Sequence, residues 1–80
     1  MEIAPRITAE PDKMGGKACI RGLRFPVAEL LGLLSTGMTP EEIVADYPDL
    51  EVEDIPAALE YAQMKLQEAV VKPAEYLAAE

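Results

Sequence analysis

The sequence predicts a mainly α domain: a small three-helix bundle of helix-turn-helix or winged-helix-like outline, preceded by a short N-terminal β hairpin or strand pair. Three observations predict it. Apolar side chains recur at helical spacing in two stretches after residue 26, a Thr-Pro-Glu-Glu cap opens a helix between them, and turn formers and β-branched residues dominate what comes before. At 80 residues the chain lies near the lower size for folding alone, so a partner subunit is a natural source of further stability. The boundaries follow as a domain over residues 1–72, with its β segment in 1–26, and a tail over 73–80.

The first strand is read from Arg6-Ile7-Thr8-Ala9-Glu10, with its β-branched pair. Pro11, Asp12, Gly15 and Gly16 supply turn chemistry, and Lys17 to Val27 return as an apolar-centred segment interrupted at Gly22. Two strands alone are marginal in water, so they must lie on the helices or pair with a second chain, which would make a homodimer.

In the first helix, Val27, Leu30, Leu31 and Leu34 follow the i, i+3, i+4, i+7 pattern of one buried face, and Gly37 stands where a left-handed residue ends a helix. Leu33 lies off that stripe, as an interface residue would. The second helix runs from about Pro40 to Asp46, with Thr39 as N-cap, Pro40 at the first helical position and Glu42 closing a capping box. Its expected buried face is Ile43, Val44 and Tyr47, and Pro48 stops it. The third carries Ile55, Ala58, Leu59, Ala62, Leu66, Ala69 and Val70 on one stripe, which predicts a buried face over four turns. Pro56 fits only its first turn, which makes Glu53 or Asp54 the expected cap. Pro73 ends or kinks the pattern.

Charge divides the chain. Residues 1–24 hold five basic and three acidic side chains, whereas 25–80 hold two basic and twelve acidic, within a net charge of -8. Lys17, Arg21 and Arg24 fall in Gly15 to Val27, which has no acid. No apolar run approaches the ~20 residues that cross a bilayer, and MEIAPR has neither a basic nor an apolar leader region, so a cytoplasmic protein away from membranes is expected. Cys19, the one cysteine, lies between Ala18 and Ile20 and reads as a small buried hydrophobe.

Catalysis is not expected. The chain has no histidine to act as general base or to activate Cys19. The sequence offers neither the Cys/His set that zinc needs nor an EF-hand loop, and Gly-Gly-Lys-Ala departs from a phosphate loop in its first glycine and final hydroxyl. No metal, cofactor or small-molecule substrate is therefore expected.

Three segments in order, GGKACIRGLRFPV, LLSTGMTPEEIVADYPDL and EDIPAALEYA, resemble the bacterial and archaeal domain of unknown function 433 family over roughly residues 6–64. The family's Gly-Gly-Lys, Ile-Arg-Gly and Arg-x-Pro-Val elements fall on Gly15 to Lys17, Ile20 to Gly22 and Arg24 to Val27. The resemblance implies a winged-helix or homeodomain-like fold. It also implies an antitoxin of a type II toxin-antitoxin pair, with a PIN-like ribonuclease as partner. Ala18 stands where the family has proline, Leu23 and Glu51 where it has threonine, and Pro56 where a polar or basic residue is common.

The third helix thus opens with Glu51, Glu53 and Asp54, carboxylates that a DNA duplex repels unless they are paired. DNA contact, if any, falls to Lys17, Arg21 and Arg24 as a basic arm. For a ribonuclease partner, the acidic third helix and the tail around Lys72 to Glu80 would mimic substrate, with Tyr76 and Leu77 as apolar anchors. Two other readings stand beside this one: a DNA-binding transcriptional regulator without a toxin partner, and a dimerisation module that binds no DNA.

Overall fold

The computed structural model describes residues 1–69. Its N-terminal sheet has three short antiparallel strands, β1 (Glu2–Ala4), β2 (Ile7–Thr8) and β3 (Cys19–Ile20), in the order β1-β2-β3. The register sets Ile7 opposite Ile20 and Thr8 opposite Cys19. Both isoleucines are fully buried beneath the helices, as one face of a pleated sheet allows. β3 turns at once: Arg21 and Gly22 have φ of 40° and 75°, the positive pair a tight hairpin turn demands, and the Leu23 amide donates to the Ile20 carbonyl at 2.7 Å. The sequence reading gave two strands here. β1 is the addition, three residues joined to β2 across Pro5 and Arg6, so that β2 is paired on both edges within one chain.

α1 (Val27–Ser35) buries Val27 and Leu30 and ends as read, with Gly37 at a φ of 94° and its amide donating to the Leu34 carbonyl. Leu33, off the stripe of α1, packs partly buried against the core. α2 (Pro40–Asp46) has the expected capping box: the Glu42 amide donates to Thr39 Oγ1 at 3.1 Å and the Thr39 amide donates to Glu42 Oε1 at 2.8 Å. Of its expected buried face only Ile43 is fully covered. Tyr47 sits at the rim, where its ring meets Phe25 edge-on at 5.2 Å.

α3 (Asp54–Glu68) packs on α1 and β2. Here the burial expected over four turns is cut short: Ile55 and Ala58 are covered, but Leu59 and Leu66 on the same stripe are exposed. Leu66 stands on the wall of an open groove that it shares with Val27 and Leu31 of α1, and nothing among the described residues closes over it. The core is Ile7, Ile20, Val27, Leu30, Ile43, Leu50, Ile55 and Ala58, drawn from the sheet and all three helices.

Candidate interaction site

The β2–β3 ladder places two arginines side by side at one end. Arg6 precedes Ile7, Arg21 follows Ile20, and the Arg21 amide donates to the Arg6 carbonyl at 3.0 Å. Both have positive φ, 66° and 40°, conformations that cost a non-glycine residue on the order of 1 kcal/mol each and that here turn both side chains toward α3. They converge on Asp54, which is wholly buried. Arg21 Nε donates to Asp54 Oδ1 at 2.9 Å and Arg21 Nη2 to Oδ2 at 3.0 Å, while Arg6 Nη1 donates to Oδ1 at 2.9 Å. The Glu51 amide donates to Oδ2 at 2.8 Å, which gives the carboxylate four donors. Arg6 also reaches Glu51 Oε1 at 2.7 Å, and Arg21 Nη2 reaches the Asp49 carbonyl at 2.7 Å.

Burial alone would push the Asp54 carboxyl upward. Hydrogen bonds from Arg21, the Glu51 amide and Arg6, with the Arg21 charge, outweigh it and hold Asp54 below the usual carboxylate range. The same bonds raise both guanidinium groups, Arg6 chiefly through Glu51 and Arg21 chiefly through Asp54. The sequence reading made Glu53 or Asp54 a helix cap. Glu53 occupies the cap position without a side-chain bond, and Asp54 instead becomes the buried anion that ties sheet to helix.

The three basic residues read as one arm are not equivalent in the fold. Arg21 is folded under against Asp54, Lys17 is exposed beside the groove between α1 and α3, and Arg24 is exposed on the turn before α1. Lys17 and Arg24 make no ion pair among the described residues. The polarity contrast between the two halves is therefore partly cancelled inside the protomer, by Arg6 and Arg21 on Glu51 and Asp54. Arg6 enters the sequence reading only as the start of a strand and one of five basic residues. Its mirror relation to Arg21 about the Ile7 and Ile20 pair becomes visible only once the strand register is known. Tyr76 and Leu77 lie outside the described residues.

What remains open to other molecules lies along α3. On one side a groove between α1 and α3 is almost wholly apolar, with Val27, Leu31 and Leu66 on its walls and Lys17 and Lys65 at its margin. On the other, a cleft of ≈ 420 Å³ lies between the turn at Pro5 and the outer face of α3. Among the described residues no cluster of histidine, cysteine or carboxylates is placed to hold a metal ion, and no helix is long and apolar enough to cross a membrane.

Residues 7–62 match the family described as Protein of unknown function (DUF433). The chain is 33% identical over 57 residues to the uncharacterized protein y4eO of Sinorhizobium fredii (strain NBRC 101917 / NGR234), a match spanning 71% of this chain and 26% of that protein. It also superposes on the crystal structure of a DUF433 member protein from Anabaena variabilis ATCC 29413, with a TM-score of 0.72 and 35% identity. That superposition covers 79% of this chain and 62% of the other. The chain thus spans only part of each relative.

Proposed function

The chain belongs to the DUF433 family of proteins of unknown function, and from that premise we propose that it is a protein-interaction module of antitoxin type. It binds and inhibits a PIN-like ribonuclease through α3. One observation carries the reading: the apolar stripe of α3 continues through Leu59 and Leu66, which no other element among the described residues covers, on a helix set in a strongly acidic chain. An exposed apolar stripe with charged surroundings suits a protein partner whose nucleic-acid cleft is basic. The helix-turn-helix or winged-helix comparison belongs to this proposal as a shape that presents α3, with no base-reading role attached.

A DNA-binding regulator is the second reading, favoured by the exposure of Lys17 and Arg24. It is weaker, because Arg21 is engaged by Asp54 and a duplex would meet Glu53 at the mouth of α3.

Co-expression with a PIN-like ribonuclease encoded beside it tests the first reading, by light scattering of the purified complex and by cleavage of an RNA substrate. A complex that suppresses cleavage is expected, and Leu59→Glu with Leu66→Glu should weaken suppression at least about tenfold while leaving the thermal transition in place. Cleavage unchanged by excess wild-type chain would remove the proposal. Retardation of its upstream DNA, abolished by Lys17→Glu with Arg24→Glu, would install the regulator instead.

A further inference from the structure

The outer face of α3 is a second stripe. Glu53, Pro56, Glu60 and Met64 fall at i, i+3, i+7 and i+11, so they line up along the side of the helix turned away from Ile55 and Ala58. Across from them stand Ala4 and Pro5 of the β1–β2 turn, and the space between is the ≈ 420 Å³ cleft. That volume lies within the range of about 300–1,000 Å³ typical of binding sites.

We propose that this cleft receives a cationic, apolar-flanked segment of a partner protein: an arginine or lysine between leucine-like side chains. The proposal rests on the reading above for the owner of that segment, the ribonuclease. Its chemistry comes from the walls. Pro5 and Pro56 lack an amide N-H, so they present apolar surface without a donor, and Met64, 41% exposed, offers a thioether that adapts to irregular apolar shapes. Glu53 and Glu60 add two negative charges, and neither is in an ion pair among the described residues.

Arg6, next in sequence to Pro5, is already held by Glu51 and Asp54 and so leaves that charge uncancelled. The field of a chain at -8 draws a cation toward the cleft and turns away phosphate. A second copy fits poorly, since a two-fold pairing centred on the cleft would gather both copies of Glu53 and Glu60, four carboxylates, at one seam. The opposite groove differs in kind: Lys17 and Lys65 flank it, and its walls hold no carboxylate among the described residues.

Binding of a short fluorescein-labelled peptide of alternating arginine and leucine to the full chain, followed by anisotropy, is the test. Tight binding that weakens with salt is expected, with at least about tenfold loss in the Glu53→Gln, Glu60→Gln double variant. A Glu41→Gln, Asp46→Asn variant, which loses the same charge elsewhere, should keep its affinity. Equal affinity for a glutamine-leucine peptide, an unaffected double variant, or equal loss in the charge-matched control would each overturn the proposal. So would a wild-type dimer that the double variant turns into a monomer, because the cleft would then belong to a second copy. Peptide binding without ribonuclease inhibition would leave the cleft standing and remove only the antitoxin reading.

Discussion

Along α3, Ile55 and Ala58 are 4% and 0% exposed, whereas Leu59 and Leu66, on the same apolar stripe, are 49% and 72% exposed. The first turn is fastened twice, by apolar contact with α1 and β2 and by Asp54 under two arginines. Leu59 and Leu66 have equivalent side chains that nothing among the described residues covers. What separates the two is what closes over them, and a stripe of leucines is core or contact surface according to whether another element covers it.

The sharpest way to break that comparison is to remove the charge at the fastened end. Asp54→Asn keeps the shape but leaves two guanidinium groups facing a neutral amide; because both are partly exposed and Arg6 still meets Glu51, the cost falls below that of a fully buried broken pair, at about 2–3 kcal/mol. Urea unfolding measures it. Because the folded Asp54 titrates below its unfolded value of about 3.9, the native state binds fewer protons there and the stabilisation is complete above about pH 4. It drains away as pH falls through the folded value. The variant should lack that acid-sensitive part, and a loss below about 1 kcal/mol at neutral pH would mean that apolar contact alone fastens α3.

That anchor also marks where sequence reading stops. α2 was legible to the residue because its capping box, Thr39 with Glu42, closes within three positions. The end of α1 at Gly37 was legible for the same local reason. Arg6 and Asp54 are 48 residues apart, and nothing local pairs them. β1 escaped because three residues carry too short an alternation to register. The burial of α3 was overstated because periodicity gives the direction of a face and says nothing of how far its support extends. Of the candidate site, the excess of charge was plain in composition, but the internal engagement of Arg21 required the fold.

A milder change sharpens the contrast by packing alone. Ile55→Val removes one methylene from the core beside Asp54, and such truncations typically cost about 0.5–1.5 kcal/mol. The same measurement on Asp54→Asn, Ile55→Val together should exceed the sum or fall short of it, since neighbours in contact couple. Strict additivity would show that charge and packing hold the first turn independently.

The smallest effect on stability belongs to the other end. Leu66→Ser trades an exposed apolar side chain for a polar one, and away from any covered contact such a change stays within about 0.5 kcal/mol. The urea midpoint should hardly move, while suppression of the ribonuclease weakens, because burial lost to a partner is counted in binding and not in folding. If the midpoint instead drops by an amount like that of Ile55→Val, then Leu66 is covered within the chain in solution. The bare half of α3 would then be core after all, and the partner would have to grip the molecule elsewhere.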